Sequence, residues 1–254
     1  MRTTPLARAL HGEWTKLRTV PGQVWTLPAL PLTMILCTFL VAVTAHPEES
    51  GTLDPTALAL SGVSFAQTAA VLVAVAVVSS EYPRTMRTTL LANPRRRHVF
   101  TAKALLVAVT VGVLALPAVT GSLATGRQAL AAVPQLPLSS YEVWRATLGT
   151  AAYLLLTALL ATGIALIVRH AAAAVGTALA LLYGPYLAIL VIKMPDHVLH
   201  TVQKASPMTA GLAVQTATGP GTAPLSPAEG LAVLAGYAGT ALVVGWGVLR
   251  ARDA

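Results

Sequence analysis

Six apolar runs, about 24–45, 57–78, 104–123, 146–168, 171–192 and 227–248, decide most of what this chain can become. Each matches the ~20 residues that a helix needs to cross roughly 30 Å of hydrocarbon. With so many, every backbone polar group at membrane depth has to be satisfied inside the protein, and helices do that within one segment. The sequence therefore predicts an all-α polytopic membrane protein, a single transmembrane domain over residues 1–254 with six transmembrane helices.

Charge sets the orientation. Arg2, Arg8, Lys16 and Arg18 precede the first run, and Arg84, Arg87, Arg95, Arg96, Arg97 and Lys103 follow the second. Arg169, Arg250 and Arg252 lie on the same side if the runs alternate, against Arg127, Arg145, Lys193 and Lys204 on the other. Glu48, Glu49, Asp54, Glu142, Asp196 and Glu229 show the opposite bias. By the positive-inside rule both termini are expected in the cytoplasm. The net charge of +8 would suggest nucleic acid for a soluble protein, but here the cations sit at span ends, where lipid and topology account for them. Nucleic-acid binding is not expected. The arginine- and alanine-rich composition points to a bacterial cytoplasmic membrane.

The segment 80–103 is the most basic polar island. Pro83 suits the first turn of a short helix, and Asn93-Pro94 stops it. Tyr82, Met86 and Leu90 recur every fourth residue on one face, with Arg84 and Arg87 elsewhere on the cylinder. An amphipathic helix of this kind serves either as an anchor on lipid headgroups or as a docking element for a cytoplasmic partner.

Residues 5–18 read as a second amphipathic helix, lying in the interface plane. Leu6, Leu10, Trp14 and Leu17 fall within about an 80-degree arc, and Arg8, His11, Thr15, Lys16 and Arg18 lie outside it. Glu13 borders the arc and is placed to pair with Lys16.

Two spans carry further patterns. Ser61, Ser64, Gln67 and Thr68 share one sector of the second, which should face protein or a water-filled path. They serve interhelical hydrogen bonds or line a substrate path. Ala172, Gly176, Ala180 and Gly184 recur every fourth residue of the fifth, a seam that lets another helix approach closely, within the chain or from a second copy. Between the fifth and sixth spans, 193–226 is an outer loop whose mildly apolar part, 206–217, suggests short helices dipping back into the bundle. Ser226-Pro227-Ala228-Glu229 is a capping box that starts the last span.

Motifs of chemistry are sparse. Cys37 is the single cysteine, so no intrachain disulfide forms. Asp196, His197 and His200 make too thin a set for a metal site. No lysine is followed by Ser or Thr as a phosphate-binding loop requires, and no His lies deep enough in a span to serve a serine as base. Charges are missing from the middles of the runs, which disfavours ion-coupled transport. No catalytic residues, no metal and no bound cofactor are expected.

In combination, Glu13-Trp14-Thr15-Lys16-Leu17-Arg18, Ser80-Glu81-Tyr82, Arg87-Thr88-Thr89-Leu90, Pro94-Arg95-Arg96, Pro224-Leu225-Ser226-Pro227 and Arg250-Ala251-Arg252-Asp253 resemble the membrane subunits of bacterial type-2 ATP-binding-cassette exporters. The resemblance covers nearly the whole chain. It implies that 5–18, with Glu13, Trp14, Lys16 and Arg18, is an interfacial helix, and that 82–92 is a cytoplasmic coupling helix. Glu81, Tyr82, Arg84, Met86, Arg87 and Leu90 would then meet a separate ATP-binding subunit that carries ATP and magnesium. It further implies an outer gate in the 193–229 loop, a second permease copy against the first and fifth spans, and export of an amphipathic small molecule, drug or lipid. Two alternatives stand beside it: a membrane-embedded enzyme, or a regulatory or immunity membrane protein that transports nothing.

Overall fold

The computed structural model describes residues 5–45, 54–79, 96–192, 195–217 and 225–251. Among these every regular element is a helix: α1 Pro5–Thr19, α2 Pro21–Thr44, α3 Pro55–Ala59, α4 Val63–Ser79, α5 Arg96–Ala129, α6 Tyr141–Val168, α7 Ala171–Val191, α8 Asp196–Ala205, α9 Pro207–Leu212, a 3₁₀ turn Ala213–Gln215, and α10 Pro227–Ala251. Proline opens several of them, because its missing N–H costs nothing in a first turn. The capping box forms as read: Ser226 N donates to Glu229 Oε2 at 2.9 Å and Glu229 N to Ser226 Oγ at 3.4 Å.

Among the described residues six helical stretches are long and apolar enough to cross a membrane, and the chain is a multi-pass membrane protein by that measure. α4 and α6 form the centre. In the apolar windows of the second and fourth spans 67% and 61% of residues are buried, against 22%, 17% and 22% for α2, α7 and α10. Those three therefore turn wide apolar faces outward, with Leu32, Leu36, Val43, Leu190 and Val243 all exposed. In water such faces would aggregate; in a bilayer they are solvated.

The second span departs from the continuous helix expected over 57–78. It is broken at Leu60–Gly62, between α3 and α4. Asp54 Oδ1 caps α3 by accepting from Thr56 N at 2.9 Å and Ala57 N at 3.3 Å. The groups freed by the break find partners on other helices. Gly62 N donates to Thr38 Oγ1 at 3.0 Å, Thr38 and Ser122 share a hydrogen bond of 2.6 Å, and Ser122 Oγ donates to Ala59 O at 2.9 Å. Gln215 Nε2 donates to Leu60 O at 3.0 Å. Only glycine fits at 62, since a Cβ there would stand 2.0 Å from Met34 O. This is how irregular backbone survives at membrane depth.

The third span differs too. Residues 96–103, expected in the 80–103 loop, are the first two turns of α5. Their charges hide a helical face: Val99, Ala102, Lys103 and Leu106, at i, i+3, i+4 and i+7, are all buried. α5 also continues past the expected end at 123 to Ala129, closing on Arg127 in its last turn.

Arg169, at a φ of 58°, stops α6 in the left-handed region and reverses the chain within two residues into α7. Beyond α7, Pro207, Met208, Ala210 and Gly211 of α9 are buried, and α9 packs on α10 and α7. This inserted segment is tethered by Asp54 Oδ2, which accepts from Ala217 N, and by Arg145 Nη2, which donates to Thr216 O. Successive antiparallel crossings leave two ends among the described residues: a terminal end with 19–23, 79, 96, 169 and 251, and a far end with 45, 54–55, 129–141, 192, 195–217 and 225–226.

Candidate functional site

Two sets of side chains stand out, one at each level of the bundle. At the terminal end α1 lies against α5 and α2. Its packed face is Glu13 and Leu17, 6% and 2% exposed, while Trp14 turns outward. Glu13 Oε2 accepts from Lys103 Nζ at 2.9 Å, and Oε1 accepts from Lys16 Nζ at 3.2 Å. Lys103, 1% exposed, also reaches Val77 O at 3.4 Å near the end of α4. Gln23 Nε2 donates to Ala76 O at 3.2 Å, bringing α2 into the same knot. On the outward face the Arg18 guanidinium stands 5.9 Å from the Trp14 ring, a cation–π distance.

α1 is thus joined to the helices on both sides of the segment 80–95. Glu81, Tyr82, Arg84, Met86, Arg87 and Leu90 lie outside the described residues. Of the interfacial set, Glu13 and Lys16 meet in one ion-pair cluster, and Trp14 and Arg18 pair on the other face. The expected Glu13–Lys16 pair forms, but the buried partner is Lys103.

Nearer the middle, Gln67 on α4 is wholly buried. Its Oε1 accepts from Tyr153 OH on α6, and its Nε2 donates to Ser64 O at 3.1 Å and meets Met208 Sδ on α9 at 3.3 Å. Thr68 Oγ1 and Tyr183 OH on α7 lie 3.0 Å apart, and Tyr183 OH also donates to Ser64 O. Gln67, Thr68 and the Ser64 carbonyl therefore come together with side chains of α6, α7 and α9. Ser61 does not join them. It sits in the break between α3 and α4, with a buried Oγ that makes no hydrogen bond among the described residues.

No family model matches the chain, and no curated protein matches it.

What the arrangement can do has to be read from its bonds. Gln67 is spent on protein partners here, and of the predicted stripe Gln67 and Thr68 take part in interhelical hydrogen bonds. The side chains that meet there are soft or long enough to exchange partners, methionine above all. The seam on α7 is open. Ala172, Gly176, Ala180 and Gly184 are exposed, and a Cβ added at Gly176 or Gly184 would meet nothing within 4 Å. Among the described residues no helix uses that seam. His197 and His200 lie exposed on α8, and no group of three or more His, Cys, Asp or Glu clusters among the described residues.

Sequence reasoning missed Lys103, Tyr153, Tyr183, Met208 and Gln215. A tyrosine in the apolar run 146–168 is a signal in itself, because its hydroxyl must find a partner at that depth. Lys103 shares the i, i+4 face of Val99, which the count of charges around it obscured.

Proposed function

We propose that this chain is the permease subunit of a type-2 ATP-binding-cassette exporter. It would move an amphipathic small molecule, drug or lipid across a bacterial cytoplasmic membrane, with both termini in the cytoplasm. The observation that carries this reading is the Glu13–Lys103–Val77 knot. It makes α1 and the ends of α4 and α5 one unit, and the amphipathic basic segment 80–95 is the link between those two ends. A push on that link would move all three helices together.

Energy would come from a separate ATP-binding subunit that carries ATP and magnesium and seats residues 82–92, with Glu81, Tyr82, Arg84, Met86, Arg87 and Leu90 at the contact. A movement of α4 would reach the segment inserted at the far end through Gln67–Met208 and Leu60–Gln215, which supports a role for that segment as an outer gate. Alternating access then needs Gln67 and Thr68 to let go of Tyr153 and Tyr183, uncovering a polar stripe to the passing compound. The bare seam of α7 and the thinly covered α2 suit contact with a second copy.

Co-expression with a candidate ATP-binding subunit tests this. Arg84→Glu with Arg87→Glu is expected to weaken co-purification by about tenfold per reversed charge, with the chain still folded. Unchanged co-purification and unchanged ATP turnover would remove the docking role.

A further inference from the structure

One cavity is used by nothing described above. It lies between the last turns of α5 and the first turns of α6 at the far end, has a volume of about 410 Å³, and falls within the ~300–1,000 Å³ of small-ligand sites. Its walls are mainly apolar, with Leu123, Val143, Leu138 and Trp144 among them, and its polar end holds Arg127 and Gln128. Thr120, deeper along α5, also lines it, so the trough runs along the helix for about 10 Å, at ~1.5 Å per residue. None of its lining residues is an acid.

The level of the trough is marked. Tyr141 and Trp144 at the start of α6 are 74% and 56% exposed, and exposed aromatic rings at a span end belong at the headgroup boundary. Arg127 stands at that boundary and is held in place. Its Nη1 donates to Leu136 O at 2.9 Å, and its own carbonyl accepts from Gln135 Nε2 at 3.0 Å. Among the described residues its guanidinium makes no other hydrogen bond. A fixed planar cation with donors to spare, set above an apolar trough that opens to lipid, is complementary to a phosphate with an acyl chain beneath it.

We propose that this groove binds a membrane phospholipid, with the phosphate on Arg127 and one acyl chain laid between Leu123 and Trp144. The site rests only on the membrane-spanning architecture and is independent of the exporter reading. It would tie the short far-end turn 130–140 to the lipid leaflet around it.

The test uses the full chain, purified in detergent and stripped of lipid, with binding read by native mass spectrometry and by thermal stabilisation. The probes are phosphatidylglycerol, a diacylglycerol of the same chain length, and glycerol phosphate. Phosphatidylglycerol is expected to bind and stabilise, with apparent affinity at least about tenfold above either of the others. Arg127→Gln should lower that affinity by about tenfold. Because Arg127 also holds the 130–140 turn, Ala124→Phe provides a second variant: it fills the trough from an exposed position, leaves Arg127 untouched, and should displace the lipid equally. Equal binding by the original chain and both variants would overturn the proposal. So would equal binding of the three probes, or displacement of the phospholipid by a second copy of the chain, seen as a dimer that Ala124→Phe dissolves.

Discussion

Replacing Glu13 with alanine is expected to cost about 3–5 kcal/mol of stability, because it takes the 2.9 Å carboxylate contact away from the buried Lys103 ammonium. Lys103 is 1% exposed and lies 2.9 Å from Glu13 Oε2, so water cannot take over the role. In thermal unfolding of the purified chain the loss should appear as a fall of roughly 6–20 °C, taking ~2–4 °C per kcal/mol for a chain of this size. Replacing both partners with apolar residues of similar shape, Glu13→Leu with Lys103→Met, should recover most of that loss. The pairing of a large single effect with a near-neutral double one is the signature of a buried ion pair. An equal fall in the double variant would instead mean that the loss does not arise from leaving one buried charge without the other. Lys16, which meets the same carboxylate at 3.2 Å but is 40% exposed at its side chain, should be worth under about 1 kcal/mol when replaced by alanine alone.

Gly230→Val is the second large effect. A Cβ at this first-turn position of α10 would stand 2.0 Å from Ala210 O, a backbone atom of the inserted α9. Backbone cannot swing aside as a side chain does, so α9 has to move or the helices have to part. Overpacking of this kind costs about 3 kcal/mol or somewhat more. The cost should be local. Displacing α9 withdraws Met208 from Gln67, while α2, α4, α5 and α6 keep their mutual packing. With Cys37 replaced by alanine, the thiol introduced by Met208→Cys is expected to resist a water-soluble maleimide when Gly230 is kept and to react readily once Gly230→Val is added. Equal protection in both would show that the segment tolerates the intrusion without opening.

Both effects depend on contacts that the sequence does not advertise. The apolar runs, the proline starts and the Ser226–Glu229 box could be read directly, since each is a local pattern whose physics is complete within a few residues. The break at Leu60–Gly62 could not. Its groups are satisfied by Thr38, Ser122 and Gln215, at separations of 24, 63 and 155 residues, and without those partners the same apolar run reads as one helix. Lys103 and Glu13 are 90 residues apart, and each looks like a surface charge until the other is beside it. The polar stripe of the second span was visible as a stripe, and Gln67 and Thr68 do meet polar partners. Which helices supply them follows only from the fold, because Tyr153 lies 86 residues from Gln67 and Tyr183 115 residues from Thr68.

Above all, chemical energy is expected to reach this chain from another protein, through the segment between α4 and α5. The most direct measurement is solute movement in sealed vesicles that hold the purified chain with or without a candidate ATP-binding subunit that co-purifies with it. ATP-dependent accumulation of a fluorescent amphipath is expected only when both are present, and is expected to vanish with Arg84→Glu and Arg87→Glu. Uphill movement driven by the chain alone, or full activity of the reversed-charge pair, would contradict it.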